Sequence, residues 1–389
     1  MKVLVVSHLY PAPNHPRHLF VHEQVKALRA LGVEMKVVSP TGYAPRALWR
    51  AHPRLRRRGL TPDRATIDGI EIEYPRVPVL PRMALFAHSG EMFYTALRRR
   101  VPAWRAEGFD LIHAHQAMPD GAAAQRLAAA LDAPYVVTVH GRDVNFHLPQ
   151  GGAVATVTAA TLRGAATVVA VSGTVARRLE GIVAPHRLQV NNNGIMGLDE
   201  HVSPSDFAPG KRLLLSVGYL YESKGNALVV QALGQLVERY PGLEYAIVGE
   251  GPLRASLEQL AAALNVSERV HFLGRLPHDE LLALMARADA FVAPSAPEGF
   301  GLVYAEALSQ GTPVVACRGE GPEDFVEDGV SGLLVPPLDV DAVVTAVDRL
   351  LDDPEAAEAM AAAGRERVLS LTWARNAAHQ KEIYEGIIA

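Results

Sequence analysis

The pattern that most constrains this chain is an alternation that stops once and then restarts. Short β-branched runs are separated by longer amphipathic stretches. In the first half the runs are KVLVVS from Lys2, MKVVS from Met35, IEIEY from Ile70, DLIHAH from Asp110, YVVTVH from Tyr135, TVVAVS from Thr167 and RLQV from Arg187. Helical patterns lie between several of them, as from Phe20 to Leu31 and from Gly121 to Leu131. Strands joined through helices predict a mostly parallel sheet covered on both faces. The pattern breaks at Glu200 to Lys211, a polar, aperiodic stretch with two prolines and a glycine, which reads as a linker. Beyond it LLLSVG, LEYAIVGEG, RVHFLG, DAFVAPS and TPVVAC are each followed by a helical segment. The chain, at 389 residues, is long enough for two cores. The expected organisation is α/β: a Rossmann-like, doubly wound domain over 1–200, a linker over 201–211, a second such domain over 212–372, and a terminal helix over 373–389.

Composition narrows the class. No apolar run is long enough to cross a bilayer. The opening MKVLVVSHLYPAP breaks into prolines after a short apolar stretch and reads as a first strand, not a signal peptide. Cys317 is the only cysteine, so an internal disulfide and cysteine metal cages are excluded, and a cytoplasmic location is expected. It lies in PVVAC, where a buried structural thiol is expected. Residues 1–200 carry 24 Lys+Arg against 15 Asp+Glu, whereas the whole chain has a net charge of −4. The excess gathers at Arg46, Arg50, Arg54, Arg56, Arg57 and Arg58, and at Arg98, Arg99, Arg100 and Arg105. These are solvated faces or, on a sharper reading, an attraction to an anionic membrane surface or acceptor at the inner face of the membrane. Few aromatics interleave the arginines and no binding motif accompanies them, which argues against nucleic acid.

Open parallel sheets bind ligands beyond the carboxyl ends of their strands. The densest signal there is PSAPEGFGLVYAEAL, from Pro294 to Leu308. It reads as a strand end, a glycine-containing loop and a helix beginning near Phe300 or Gly301. Backbone N–H groups at a helix start bind phosphate oxygens. Glu298 lies just before that helix and Glu306 on it, so the two carboxylates can flank a ligand whose phosphates face the helix start. Either glutamate alone would read as a helix-start charge or a surface residue.

Glu298 and Glu306, inside EGFGLVYAEALSQGTPVVA, resemble the signature of the family 4 retaining glycosyltransferases of the GT-B fold. SVGYLYESKGN, AIVGEGPLR, VHFLGRLPHDEL, ARADAFVAPS, GPEDFVEDGVSG and LLVPPLD continue the resemblance. In the first half DLIHAH, VTVHGRDVN and VNNNGI fit it, as does the terminal TWARNAAHQKEIYEGI. The resemblance implies two Rossmann-like domains facing each other across a cleft, closing over the donor, with the terminal helix packed back on the first. Glu306 would hold the donor ribose, Glu298 hydroxyls of the transferred sugar, and the backbone of Gly299, Phe300, Gly301 and Leu302 the diphosphate or sugar. Lys224 would neutralise the leaving diphosphate. Gly218, Gly249, Gly251 and Arg275 fall on donor-binding positions. His140, at the end of YVVTVH, would face the sugar near its reacting carbon, although a histidine at a strand end is by itself more often structural. His115, Arg142, Asp143 and Asn145 would be acceptor-side. His113 and His115 are expected to alternate, so that only one of them points into the site. No cofactor or metal is required on this reading. The substrates are a nucleotide-diphosphate sugar, UDP-sugar foremost, and a hydroxyl of a glycan, lipid-linked or small-molecule acceptor.

Two departures from the pattern stand out. Tyr219 follows Gly218 where many relatives have arginine. Pro11 to Arg17 replaces a Gly-Gly pair, and Arg17 or the backbone near His15 would compensate. Three other readings remain open. A nicotinamide-dependent oxidoreductase draws on Gly249-Glu250-Gly251, but Arg254 occupies the third glycine position and no acidic residue ends the next strand. A GT-B-type epimerase would bind the same donor without an acceptor. A non-catalytic sugar-nucleotide-binding protein would fit the loss at Tyr219 but not the presence of Glu298, Glu306, Lys224 and His140.

Overall fold

The computed structural model describes residues 1–14, 19–43, 56, 59–78, 85–196 and 203–389. His15 and Arg17, most of the first arginine cluster, and part of the linker therefore lie outside the described residues. The chain divides into two compact units, Met1–Gly194 with Trp373–Ala389, and Ile195–Thr372.

The first unit is built on strands β1 (Lys2–Val6), β2 (Glu34–Val38), β4 (Arg64–Ile67), β5 (Ile70–Glu73), β7 (Leu111–His115), β8 (Tyr135–Val139), β9 (Thr167–Ala170) and β10 (Leu188–Val190), with β3 (Thr41–Tyr43) and β6 (Arg76–Pro78) forming a separate parallel pair. The main sheet runs β10-β9-β8-β7-β1-β2-β5-β4 and is parallel except for the edge strand β4. Its central strands are apolar on both faces: Val3 to Val6, Leu111 and Ile112, and Val136 and Val137 are all buried. A one-sided amphipathic strand could not be covered by helices on both faces, and these runs show no such alternation. The helix Leu19–Ala30 buries Val21, Val25 and Leu28 against this sheet. The terminal helix Trp373–Ile388 packs beside it, with Ala377 and Tyr384 in the same core. Gln24 Nε2 donates to Asn376 Oδ1 at 2.7 Å, and Asn376 Nδ2 donates to the Asn192 carbonyl at 2.8 Å. These bonds satisfy buried polar groups of the terminal helix inside the first unit.

The second unit has six parallel strands: β11 (Arg212–Val217), β12 (Leu243–Val248), β13 (Val270–Gly274), β14 (Ala290–Val292), β15 (Val314–Cys317) and β16 (Leu333–Val335), in the order β13-β12-β11-β14-β15-β16. Cys317 is fully buried, and burial raises its thiol to about 11, so it stays protonated.

Both sheets reverse their winding direction once, between β1 and β7 in the first unit and between β11 and β14 in the second. At such switch points the helices diverge to opposite faces and leave a crevice beyond the strand ends.

Candidate active site

At the switch point of the second unit, the loop after β11 carries Lys224 and the loop after β14 carries Glu298. Lys224 Nζ donates to Glu298 Oε2 at 2.6 Å, and both side chains keep partial contact with solvent. The helix Leu302–Ser309 begins just beyond, one or two residues later than the sequence suggests. The reason is Gly301: its φ of 87° is left-handed, and a Cβ there would lie 2.7 Å from the Tyr304 ring. Only glycine takes that position without strain. Phe300 itself is buried beside Phe325, ring centres 5.4 Å apart, so its side chain serves packing and only its backbone can meet a ligand.

Glu306 sits on this helix, 8% exposed, and burial raises its carboxyl to about 7. No described residue hydrogen-bonds its carboxylate. A buried, uncompensated acid is a standing cost, which a ligand offering hydroxyl donors removes. Glu298 is held from below. Its amide donates to Glu320 Oε2 at 2.7 Å, and the Gly321 amide donates to its carbonyl at 3.2 Å. Glu320 is buried, follows β15, and escaped the sequence reading, although its place after a strand adjoining the switch point was the available signal.

The remaining donor-side positions line the neighbouring strand ends. Gly218 follows β11, and Gly249, after β12, lies so near it that a Cβ there would be 1.8 Å from the Gly218 carbonyl oxygen. Gly251 packs against the Leu220 backbone. Arg275, after β13, donates through Nη2 to the Tyr219 hydroxyl at 2.7 Å, lies over the Tyr219 ring, and pairs with Glu250 at 3.3 Å. The residue that takes the place of the usual arginine thus holds a different arginine.

At the first unit's switch point, the His8 amide donates to both oxygens of Asp120 at 3.0 and 3.2 Å, and His8 Nδ1 lies 2.7 Å from Asp120 Oδ2. Asp120 is fully buried, and its carboxyl is raised, first by burial. This pair was also missed, since its members are far apart in the chain and only the position of His8 after β1 marked it.

Three sequence expectations change here. His113 and His115 do not alternate: residues two apart on a strand share a face, and the rings are 4.4 Å apart. His115 is buried rather than facing an acceptor. Its Nδ1 lies 3.0 Å from His140 Nε2, and the two rings stack at 5.3 Å. Asp143 is likewise buried. Its Oδ1 accepts the amides of Ala117 and Met118 and faces His147 Nδ1 at 3.3 Å, so it organises loops instead of meeting acceptor directly. Of the others, His140 is half-buried, Arg142 is exposed over the Phe146 ring, and Asn145 accepts from Arg178 at 2.7 Å. His22, Glu23 and Asp68 come close enough together for a cation, but Lys26 already reaches Glu23 at 3.0 Å and Asp68 at 3.8 Å.

Among the described residues, no helix is long and apolar enough to cross a membrane. Arg98, Arg99 and Arg105 are exposed, whereas Arg100 pairs with Glu73 at 2.7 Å.

Residues 199–367 match the family described as Glycosyl transferases group 1, and residues 19–196 match Glycosyltransferase Family 4. A glycogen synthase of Mycobacterium tuberculosis is 31% identical over 400 aligned residues, covering 99% of this chain and 94% of that protein. The GDP-mannose-dependent alpha-(1-6)-phosphatidylinositol monomannoside mannosyltransferase of Mycolicibacterium smegmatis is 39% identical over 182 residues, 45% of this chain and 48% of that protein. The solved sucrose-phosphate synthase of Thermosynechococcus elongatus shares the fold with a TM-score of 0.81 at 24% identity, over 99% of this chain and 98% of that one. With two Rossmann-like units and this site, the chain belongs to the family 4 glycosyltransferases of the GT-B fold, enzymes that use nucleotide-sugar donors.

Proposed function

We propose that this glycosyltransferase moves a hexosyl group from a nucleotide-diphosphate sugar to a hydroxyl acceptor with retention at the transferred carbon. The Lys224–Glu298 pair at the switch point, beside a helix start and the buried Glu306, carries this reading. In it the donor separates the pair: Lys224 turns to the diphosphate and Glu298 to the sugar hydroxyls, while Glu306 takes the ribose. Both side chains keep contact with solvent, so the pair parts at modest cost. As the bond from the sugar carbon to the diphosphate oxygen breaks, Lys224 and the first amides of the helix Leu302–Ser309 hold the growing negative charge. The acceptor oxygen bonds to the same face of that carbon, and its proton passes to a diphosphate oxygen. Lys224 and the helix start take the charge that a divalent metal carries in other transferases. His140, steadied by His115, faces the sugar, and Arg142 and Asn145 serve the acceptor side. Tyr219 and Arg275 together stand in for the arginine other relatives carry.

UDP-sugars are the first donors to test. GDP-mannose is the second, because the name of the Mycolicibacterium relative specifies it. A panel of UDP-, GDP- and ADP-sugars with NAD and NADP, scored by thermal shift and by slow release of free nucleotide, tests the proposal. Stabilisation and turnover by one nucleotide sugar, lost in Glu306→Ala and Lys224→Ala, is the expected result. Stabilisation by NAD or NADP alone overturns it, and sugar-nucleotide binding without turnover under any acceptor assigns a binding protein.

A further inference from the structure

The first unit holds a concave feature that the donor reading leaves unused. A cavity of about 720 Å³ lies among the turn at residues 85–88, the segment after His140, and the start of the helix Gly152–Gly164. Its walls mix apolar and polar residues, and two of the apolar ones, Leu85 and Phe146, are 60% and 50% exposed. Large apolar side chains left in water around a concavity mark a surface that a ligand covers. None of the lining residues is a carboxylate, whereas Arg142 brings a guanidinium, 5.7 Å from the Phe146 ring centre. The wall therefore combines an apolar side with His88, Gln150 and the Arg142 cation, which lies two residues beyond His140 in the chain.

His147 supplies the polar detail. It lines the cavity with its ring 5.0 Å from that of Phe86, and its side chain is 3% exposed. Its Nδ1 faces Asp143 Oδ1, which already accepts two backbone amides. A carboxylate oxygen accepts, so Nδ1 carries a proton toward Asp143. The ring's Nε2 is buried and has no hydrogen-bond partner. Buried ring nitrogens are ordinarily satisfied, and a ligand hydroxyl, which can donate or accept, would satisfy this one.

We infer that this cavity is the acceptor subsite and that it seats an acceptor combining an apolar body with an anionic group. The apolar body lies against Leu85, Phe86 and Phe146, the anion on Arg142, and a hydroxyl hydrogen-bonds to His147 Nε2. The volume suits one small molecule. The acceptor role rests on the transferase reading above, whereas binding of such an amphiphile does not.

The probe is n-hexyl phosphate, titrated into the full chain by calorimetry. Hexyl phosphate is expected to bind, with hexanol and inorganic phosphate each weaker by about tenfold or more. Arg142→Ala and Ala153→Trp, the second filling the cavity from the exposed start of its helix, are each expected to weaken hexyl phosphate by about tenfold or more. The donor-induced thermal shift, measured on the same Ala153→Trp protein, shows that it is folded. Vesicles of phosphatidylcholine and phosphatidylglycerol separate the sources. Binding that Ala153→Trp abolishes draws the ligand from a bilayer, and vesicles ignored by both proteins draw it from solution. Hexyl phosphate binding that Ala153→Trp leaves intact overturns the inference, as does its absence in the unmodified chain up to about 10 mM. If no nucleotide sugar shifts the unmodified chain, the transferase reading fails instead, and the hexyl phosphate titration still decides the cavity.

Discussion

At the switch point of the second unit Lys224 and Glu298 meet at 2.6 Å with 28% and 15% of their side chains exposed, while at that of the first His8 and Asp120 meet at 2.7 Å and the carboxylate has no exposure at all. Both pairs join the loops that follow two adjoining strands, yet they do different work. A partly solvated pair gains little from its own attraction, so each partner is cheaply redirected to a ligand. A carboxyl sealed under a backbone amide and a ring nitrogen is committed, and it holds the His8 ring in one orientation. The second unit thus keeps movable charge where a diphosphate would arrive. The first keeps rings and loops in one arrangement, with little charge free to move.

Lys224→Ala tests that contrast most severely. Turnover with the nucleotide sugar is expected to fall about 100- to 1,000-fold, because a cation aimed at the leaving group acts in the transition state. The melting temperature should move little, since a pair in contact with solvent contributes about 1 kcal/mol. A large loss of stability with modest loss of turnover would make the pair structural and erase the difference between the two switch points.

Glu306 sharpens the comparison through pH. Its carboxyl is raised from 4.5 to about 7 by burial, so the folded chain binds a proton that the unfolded chain releases at lower pH. Stability from this group is therefore full below the unfolded value and is lost as pH rises through 7. The loss amounts to about 3 kcal/mol once both states are ionised. Glu306→Gln should remove that slope, melting higher than the unmodified chain at about pH 8 and no higher at about pH 4.5. Donor binding should run the other way. On the proposed reading an ionised Glu306 would accept two ribose hydroxyls, so affinity should rise with pH through 7 and flatten in Glu306→Gln. Parallel stability curves for the two proteins would show that Glu306 is already satisfied.

Asp120→Ala moves the test to the committed pair. It removes the acceptor of the His8 amide and ring, and a cost of about 2 kcal/mol is expected in denaturant unfolding of the first unit. Donor-induced stabilisation should persist, because the residues proposed to hold the nucleotide lie in the other unit. Loss of donor binding in Asp120→Ala would instead make the two switch points one functional device.

How far these features were legible follows from the distances along the chain. The long strands were readable because their β-branched runs are continuous and bounded by turns. The short strands β3, β4, β6 and β16 lack such a run, and β4 pairs antiparallel at an edge. The residues of the second site could be read because Glu298, Phe300, Gly301 and Glu306 fall within one loop and one helix, where spacing carries geometry. Their supports could not: Glu320 reaches Glu298 from another strand end, and Asp120 meets His8 across 112 residues. His113 and His115 show the opposite failure, a local rule misapplied, since a period of two puts both rings on one face.

The smallest effect concerns the terminal helix, which belongs to the first unit although the second unit intervenes in the sequence. Tyr384, fully buried, shares its hydroxyl with His113 Nδ1 at 2.6 Å, and the other His113 nitrogen is 2.7 Å from Thr138 Oγ1. Burial lowers His113 to about 3, so the ring is neutral near pH 7 and the bond is one between uncharged groups. Tyr384→Phe keeps the ring packed and deletes only the hydroxyl, leaving His113 Nδ1 without that partner. The expected cost is about 1 kcal/mol, or about 2–4 °C in the melting of the unit. A drop confined to the first unit's transition would show that this bond helps hold the terminal helix. No change would leave the helix held by Ala377, Asn376 and the face of Leu19–Ala30 alone, with His113 serving only to back the His115–His140 stack.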